Sequence, residues 1–174
     1  MRFDNILTKE IELPIGKMIA GASDKGICLL EYNDEKRLSR SAKELSSKYL
    51  VSSNKLSKNF LDILEVELKE YFNDKRTAFN VPIDLQGTPF QITVWQYLMT
   101  IPYGITKSYK QQSTEMNNPL AIRAIAKANG ENRMSIIIPC HRVISSDGSL
   151  RGYGGGLWRK EFLINLEQNQ KTIF

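Results

Sequence analysis

Ile136-Ile137-Ile138-Pro139-Cys140-His141-Arg142-Val143 is the stretch around which this chain is organised. Three β-branched residues in succession predict a short, buried, strand-like segment. Pro139 ends regular pairing, because it has no N–H to give to a ladder. A thiol and an imidazole follow. Cys140 is one of two cysteines, and His141 is the only histidine in 174 residues. A nucleophilic cysteine needs a base to form thiolate near neutral pH, and the one imidazole available stands beside it. The octapeptide alone is equally compatible with an activated cysteine and with a structural Cys next to a bystander His.

Outward from this stretch, charge is unevenly divided. Residues 1–85 carry 14 Lys and Arg against 14 Asp and Glu, whereas residues 86–174 carry 10 against 5. The whole net charge of +5 therefore lies in the half that holds the cysteine. A basic half points to a polyanionic partner, nucleic acid foremost. No apolar run reaches about 18 residues, so neither a transmembrane helix nor a membrane partner is expected. Met1-Arg2-Phe3-Asp4-Asn5 lacks the charged-then-apolar pattern of a secretory leader. Cys28 and Cys140 imply no disulfide framework and fit a reducing, cytoplasmic setting. The Cys, His and carboxylate spacings supply no zinc set, and no metal is expected.

In chain order, residues 1–12 alternate loosely, as an edge strand or a loose end does. Ile15 to Ala22 and Ile27 to Tyr32 are apolar runs joined by Ser23-Asp24-Lys25-Gly26, which predicts a hairpin. Cys28, within the second run, reads as a small core residue. Ser41 to Leu50 reads as helix. Leu56, Phe60, Ile63, Leu64, Leu68, Tyr71 and Phe72 recur at threes and fours, one face of an amphipathic helix, with Glu65, Glu67, Lys69 and Glu70 mostly opposite. Phe79 to Leu85 alternates as an edge strand or extended linker, with Pro82 confining it to an edge.

Thr88 is a good N-cap and Pro89 a good first helical residue, so a helix is predicted from there to Met99 or Thr100. Phe90, Val94, Tyr97 and Leu98 form its expected buried stripe, with Trp95 beside them. A second helix starts near Ser108, capped by Thr106 or Ser108, and stops at Asn117-Asn118. Pro119 opens a third that Gly130 ends. Two short helices around an Asn-Asn-Pro turn read as helix-turn-helix. The third has a small face, Ala121, Ala124 and Ala128, with Arg123 and Lys127 alongside. That face suits close approach to a partner, or it is simply a good helix former packed on a neighbour. Gly152 to Gly156 is a loop where backbone can approach a ligand. It lacks the strand and lysine of a phosphate-binding loop. Trp158 to Glu167 reads as a last amphipathic helix, with a frayed tail from Asn169.

Pro139-Cys140-His141-Arg142-Val143 after an apolar run resembles the active-site motif of the O6-alkylguanine-DNA alkyltransferases. Gly87-Thr88-Pro89-Phe90-Gln91, Val94-Trp95, Ile101-Pro102-Tyr103-Gly104 and Ser108-Tyr109 are similar to that family's upstream blocks, in order. Asn118-Pro119, Arg123-Ala124, Ala128-Asn129-Gly130 and Asn132 follow, then Asp147-Gly148, Gly152 to Leu157, Lys160 and Glu167. The resemblance covers about residues 86–168; before it, only Leu13-Pro14-Ile15-Gly16 and the hairpin match loosely.

The resemblance implies a fold. An α/β N-terminal domain over residues 1–85, ribonuclease-H-like with a small sheet plus helix, precedes a mainly α winged-helix, helix-turn-helix domain over 86–174. It also implies a reaction. Sulfur attacks the carbon on guanine O6, the repaired guanine leaves, and a thioether with no easy hydrolysis route remains, so each molecule reacts once and no cofactor is needed. The implied roles are specific. Cys140 is the acceptor, His141 its base through a bridging water, Glu167 the carboxylate orienting that His, and Asn132 a support of the active-site turn. Tyr109 presses on the target phosphate and bonds the extruded base. Val143, Tyr153 and Gly154 line the guanine pocket. Arg123 fills the stack when the base flips out. Asn118, Ala121, Ala124 and Ser146 contact DNA. The partner implied is double-stranded DNA carrying O6-alkylguanine, or O4-alkylthymine, bound in the minor groove with little sequence preference, by a monomer in the absence of DNA.

Three departures stand out. The family commonly has proline after its Asn, where this chain has Arg133-Met134-Ser135, so that Arg133 adds a phosphate contact or alters the turn. Gly154 stands where some relatives carry serine, and Lys110 follows Tyr109 where a polar uncharged or acidic residue is also seen. Competing readings are an alkyltransferase-like damage binder without chemistry, which Cys140 opposes, a Cys-His-Glu acyl hydrolase, and a winged-helix regulator with an inert thiol.

Overall fold

The computed structural model describes residues 6–48 and 54–169. Two compact units emerge, one formed by 1–86 with 133–135, the other by 87–132 with 136–174. The expected helix end at Leu50 and the tail after Asn169 lie outside the described residues.

The first unit is built on three antiparallel strands in chain order, β1 (Leu7–Leu13), β2 (Gly16–Ala22) and β3 (Ile27–Tyr32). The hairpin between β2 and β3 forms as expected, with Ser23 N donating to Gly26 O. β3 is buried along its whole length. Its second edge is therefore covered, by two single-residue parallel bridges, Ile27 to Ile83 and Leu30 to Met134. Residues 79–85 thus supply a bridge rather than a strand. A Cβ on Gly26 would fall 2.5 Å from Pro82 O, so glycine is required where that segment crosses.

Two helices pack on this sheet, α1 (Glu35–Lys48) and α2 (Lys55–Phe72). The buried stripe of α2 is Ser57, Leu61, Leu64, Glu67, Leu68 and Tyr71, rotated from the expected one. Leu56 and Ile63 are exposed. Polarity alone misplaces the face because two inward polar groups are satisfied. Ser57 Oγ donates to Ser23 O, and Glu67 accepts from the backbone N–H groups of Asn80 and Val81. Cys28 is buried, as expected of a core residue, with Sγ 3.6 Å from Gly21 O.

In the second unit, α3 (Pro89–Thr100) starts as predicted. Thr88 caps it, and Gln91 completes a capping box with Pro89 at the start. Val94, Trp95 and Leu98 are buried, but Phe90 is exposed and Tyr97 turns its hydroxyl to Glu115. Trp95 Nε1 donates to Ala128 O at 2.9 Å. After β4 (Lys107–Ser108), Ser108 caps α4 (Tyr109–Glu115). The next helix, α5 (Ile122–Gly130), starts three residues later than Pro119 suggested. Residues 118–121 form a turn closed by Ala121 N donating to Asn118 O, and Asn117 adopts a left-handed φ of 54°. Gln112 and Asn129, both buried, tie α4 to α5 by reciprocal amide bonds of 3.2 and 2.8 Å. After β5 (Val143–Ile144), the last element is α6 (Leu157–Asn169). Among the described residues no helix is long and apolar enough to cross a membrane.

Candidate active site

The segment before Cys140 is buried as expected, yet it is not strand-like. Ile136 takes a left-handed φ of 75°, and residues 135–138 turn without a ladder. Cys140–Arg142 then makes one 3-10 turn, with Val143 N donating to Cys140 O. Asn132 organises it. Its Nδ2 donates to Ile138 O at 2.9 Å and to Cys140 Sγ at 3.2 Å. Cys140 itself is partly exposed.

His141 points inward and is fully buried. Its Nε2 lies 2.8 Å from Glu167 Oε1. Arg142 donates Nη2 to the same oxygen at 3.0 Å and Nε to Oε2 at 2.8 Å. Gly104 N also donates to Oε2, at 3.0 Å, and Arg142 Nη1 donates to Ile101 O at 2.6 Å. Burial alone would raise the Glu167 pKa. The bonds from His141 and Arg142, with the Arg142 charge, outweigh it and hold the carboxylate well below its usual range. For His141, burial is the largest effect and lowers the pKa against the pull of Glu167, with Arg142 and Lys160 adding to the lowering. The resting pair is therefore a carboxylate and a neutral imidazole whose Nε2 carries the proton. Nδ1 is left as the acceptor, and it finds no hydrogen-bond partner among the described residues.

Two residues of this network were not anticipated. Arg142 stands in the quoted motif without a role, and nothing local marks it as inward-facing, because its partner lies 25 residues on. Lys160 is fully buried, with Nζ donating to Val143 O at 2.6 Å and Arg151 O at 2.7 Å. Burial lowers its pKa to about 8, with the charge of Cys140 acting the other way. Here a signal existed. Lys160 shares helical spacing with Leu163, Ile164 and Glu167, all buried.

Tyr109 is set beside this turn by the parallel β4–β5 ribbon, in which Lys107 faces Val143 and Ser108 faces Ile144. Its hydroxyl donates to Arg151 O at 3.4 Å, and Lys160 Nζ lies 5.9 Å from its ring centroid. Burial first, and then the charge of Cys140, push its hydroxyl pKa up. A Cβ on Gly152 (φ +63°) would meet Tyr109 OH at 3.2 Å. Tyr153 is half-buried and Gly154 exposed on the same loop, while Val143 is buried.

The remaining candidates lie outside this cluster. Asn118, Arg123 and Ala124 are exposed and Ala121 is half-buried around the α4–α5 turn. Leu120 is 97% exposed there. Ala128 does not share that surface. It is buried under Trp95, so the free small face is shorter than the spacing implied. Ser146 is exposed at the rim of an open groove of about 370 Å³ that also takes in Lys107, Ser108, Lys110 and Ser145.

Comparison with known proteins agrees along the chain. Residues 89–169 match the 6-O-methylguanine DNA methyltransferase DNA-binding domain, and residues 6–85 the ribonuclease-like domain of the same family. A methylated-DNA–protein-cysteine methyltransferase of Methanosarcina barkeri is 39% identical over 160 residues, 91% of this chain and 95% of that one. The crystal structure of the Mycobacterium tuberculosis O6-methylguanine methyltransferase superposes with a TM-score of 0.77 at 34% identity, covering 95% of this chain and 94% of that chain. For the Mycobacterium tuberculosis OGT in complex with DNA the TM-score is 0.78 at 35% identity, covering 94% and 93%.

Proposed function

From membership of the 6-O-methylguanine DNA methyltransferase family, to which this chain belongs, we propose that it repairs DNA by moving the alkyl group of O6-alkylguanine onto Cys140, once per molecule. The observation that carries this reading is the buried pair of His141 and Glu167 adjoining, in the chain, a cysteine whose sulfur already accepts a bond from Asn132.

The steps follow from that arrangement. Nδ1 of His141 takes the Cys140 proton through a bridging water, and Glu167 stabilises the imidazolium formed. Arg142 and Gly104 N keep Glu167 ionised and oriented while its partner changes charge. The Asn132 amide stabilises the developing thiolate. Sulfur attacks the alkyl carbon, the C–O6 bond breaks, its electrons stay on guanine, and the proton that guanine gains is matched by the one Cys140 gave up to His141. Tyr109 hydrogen-bonds the extruded base, and Val143, Tyr153 and Gly154 line its pocket. Lys160 holds Val143 O and Arg151 O, fixing two sides of that pocket.

On DNA, Arg123 fills the gap left by the flipped base, while Asn118, Ala121, Ala124 and Ser146 meet the minor groove and backbone. Contact is mainly to phosphates, so sequence preference is low. The protein acts as a cytoplasmic monomer before it meets DNA.

Intact-protein mass spectrometry after incubation with a duplex containing O6-methylguanine tests the proposal. One added methyl per chain, absent from Cys140→Ala, is expected. Duplex binding with no added mass would leave a damage-binding protein without chemistry.

A further inference from the structure

We propose that Arg133 is a positioning residue for the alkyl-accepting turn, acting through Asn132; the inference rests on the reading above. Arg133-Met134-Ser135 belongs to the N-terminal unit although the chain on either side belongs to the other. It crosses β3 at a single bridge, Leu30 to Met134. Leu30 N donates to Arg133 O at 2.7 Å, and Ser135 N donates to Leu30 O at 2.9 Å. The Arg133 side chain is 3% exposed. Its Nη1 donates to Gln86 O at 2.7 Å, and its Nη2 pairs with Glu44 Oε2 at 2.8 Å. A guanidinium buried this far, with fixed partners, is an anchor and is not available as a phosphate contact.

What the anchor fixes is visible in its chain neighbours. Asn132 precedes it and makes the two bonds that define the site, to Ile138 O and to Cys140 Sγ. Ile136 follows almost at once, in a left-handed conformation that a β-branched side chain resists. Such a conformation persists only where its surroundings over-determine it. Here the turn from 136 to 139 is held at its far side by Asn132 and at its entry by the bridged segment that Arg133 locks down. With that lock released, Ile136 is free to relax, Ile138 O and Cys140 Sγ move off the Asn132 amide, and the thiolate loses a stabilising donor.

The test uses the full-length protein as wild type, Arg133→Met, Arg133→Lys and Glu44→Gln, each checked for a cooperative thermal melt above the assay temperature. Two readouts are taken. One is the single-turnover methyl-transfer rate at saturating O6-methylguanine duplex, with duplex Kd measured separately. The other is the pH profile of Cys140 carbamidomethylation by iodoacetamide without DNA. Arg133→Met is expected to slow transfer about 10- to 100-fold, as a small misplacement of reacting groups does, with Kd within about twofold. It should also move the carbamidomethylation midpoint to higher pH. Glu44→Gln should move both in the same direction by less, and Arg133→Lys should recover part of the loss. Folded variants with the wild-type rate and pH profile would reduce Arg133 to a stabilising residue, and a loss confined to Kd would make it a DNA contact; either overturns the proposal. Should Arg133→Met not fold, Glu44→Gln and Arg133→Lys decide by the same criteria. A wild type that transfers no methyl would overturn the repair reading instead, while the DNA-free thiol profile still judges Arg133.

Discussion

Cys28 and Cys140 are the same side chain in opposite surroundings. Cys28 sits on β3 in an apolar cluster with Ile6, Leu29 and Leu45. Burial, with Asp84 nearby, pushes its thiol up to about 12. Cys140 sits on a 3-10 turn, partly exposed, next to an Asn amide and a His–Glu pair. Both thiols are equal in reach of chemistry as free amino acids. The difference lies in what would meet the thiolate, deep burial with a carboxylate nearby in one case and a donor with a base beside it in the other.

The largest break in that comparison is exchange of the sulfurs. Cys140→Ala should abolish methyl uptake, whereas Cys28→Ala should still gain one methyl per chain by intact mass; uptake by Cys140→Ala would place the acceptor elsewhere. Next is the base. Glu167→Gln cannot hold His141 as a stabilised imidazolium, and single-turnover transfer should fall about 100-fold. A rate within twofold of wild type would remove Glu167 from the mechanism.

Arg142→Met is expected to have a smaller effect on rate, about tenfold, and a distinctive effect on pH. Arg142 contributes to lowering the His141 pKa. Without it that pKa rises, so the neutral base is lost at higher pH and the acidic limb of the rate profile moves up. A profile unmoved in a folded variant would show that Arg142 serves stability alone.

The smallest effect is on Cys28. Its folded pKa is about 12 against an ordinary 9.0. In that window the native state keeps a proton that the unfolded chain has released, so the contribution is complete below pH 9 and is lost as pH rises. Denaturant unfolding should show wild type losing about 1 kcal/mol more than Cys28→Ala between pH 7 and 9.5. Parallel curves would mean that the thiol is already hydrated.

Two buried glutamates extend the contrast. Glu31 is paired with Arg37 Nε and Nη2, yet burial dominates and its pKa is raised. Glu167 collects four donors and its pKa falls. The count and fixity of donors, rather than depth alone, separate a structural carboxylate from one able to support a changing charge.

Local rules were legible in the residues. The Thr88 and Ser108 caps, the 23–26 hairpin turn and the central place of Cys140-His141 need only short-range bonding to operate. The α2 stripe and the strand-like reading of 136–138 failed, for one shared reason. A polar Ser57 or Glu67 is as buried as a leucine once its bonds are met, and an isoleucine run is a turn once Asn132 and the chain around it hold Ile136 left-handed. Pattern reading scores each residue alone, whereas burial is decided by partners.

By itself, then, the sequence determined the type of each main helix and the β2–β3 hairpin, the basic half, and a cysteine with one possible base. Only the tertiary structure decided that Arg142 and Lys160 turn inward, that Gln112 and Asn129 lock α4 to α5, and that residues 133–135 belong to the other unit. The physical reason is separation along the chain. Caps and turns close within four residues, whereas Arg142 meets Glu167 25 residues away and Arg133 meets Glu44 89 away, and such partners are chosen only when the chain has packed.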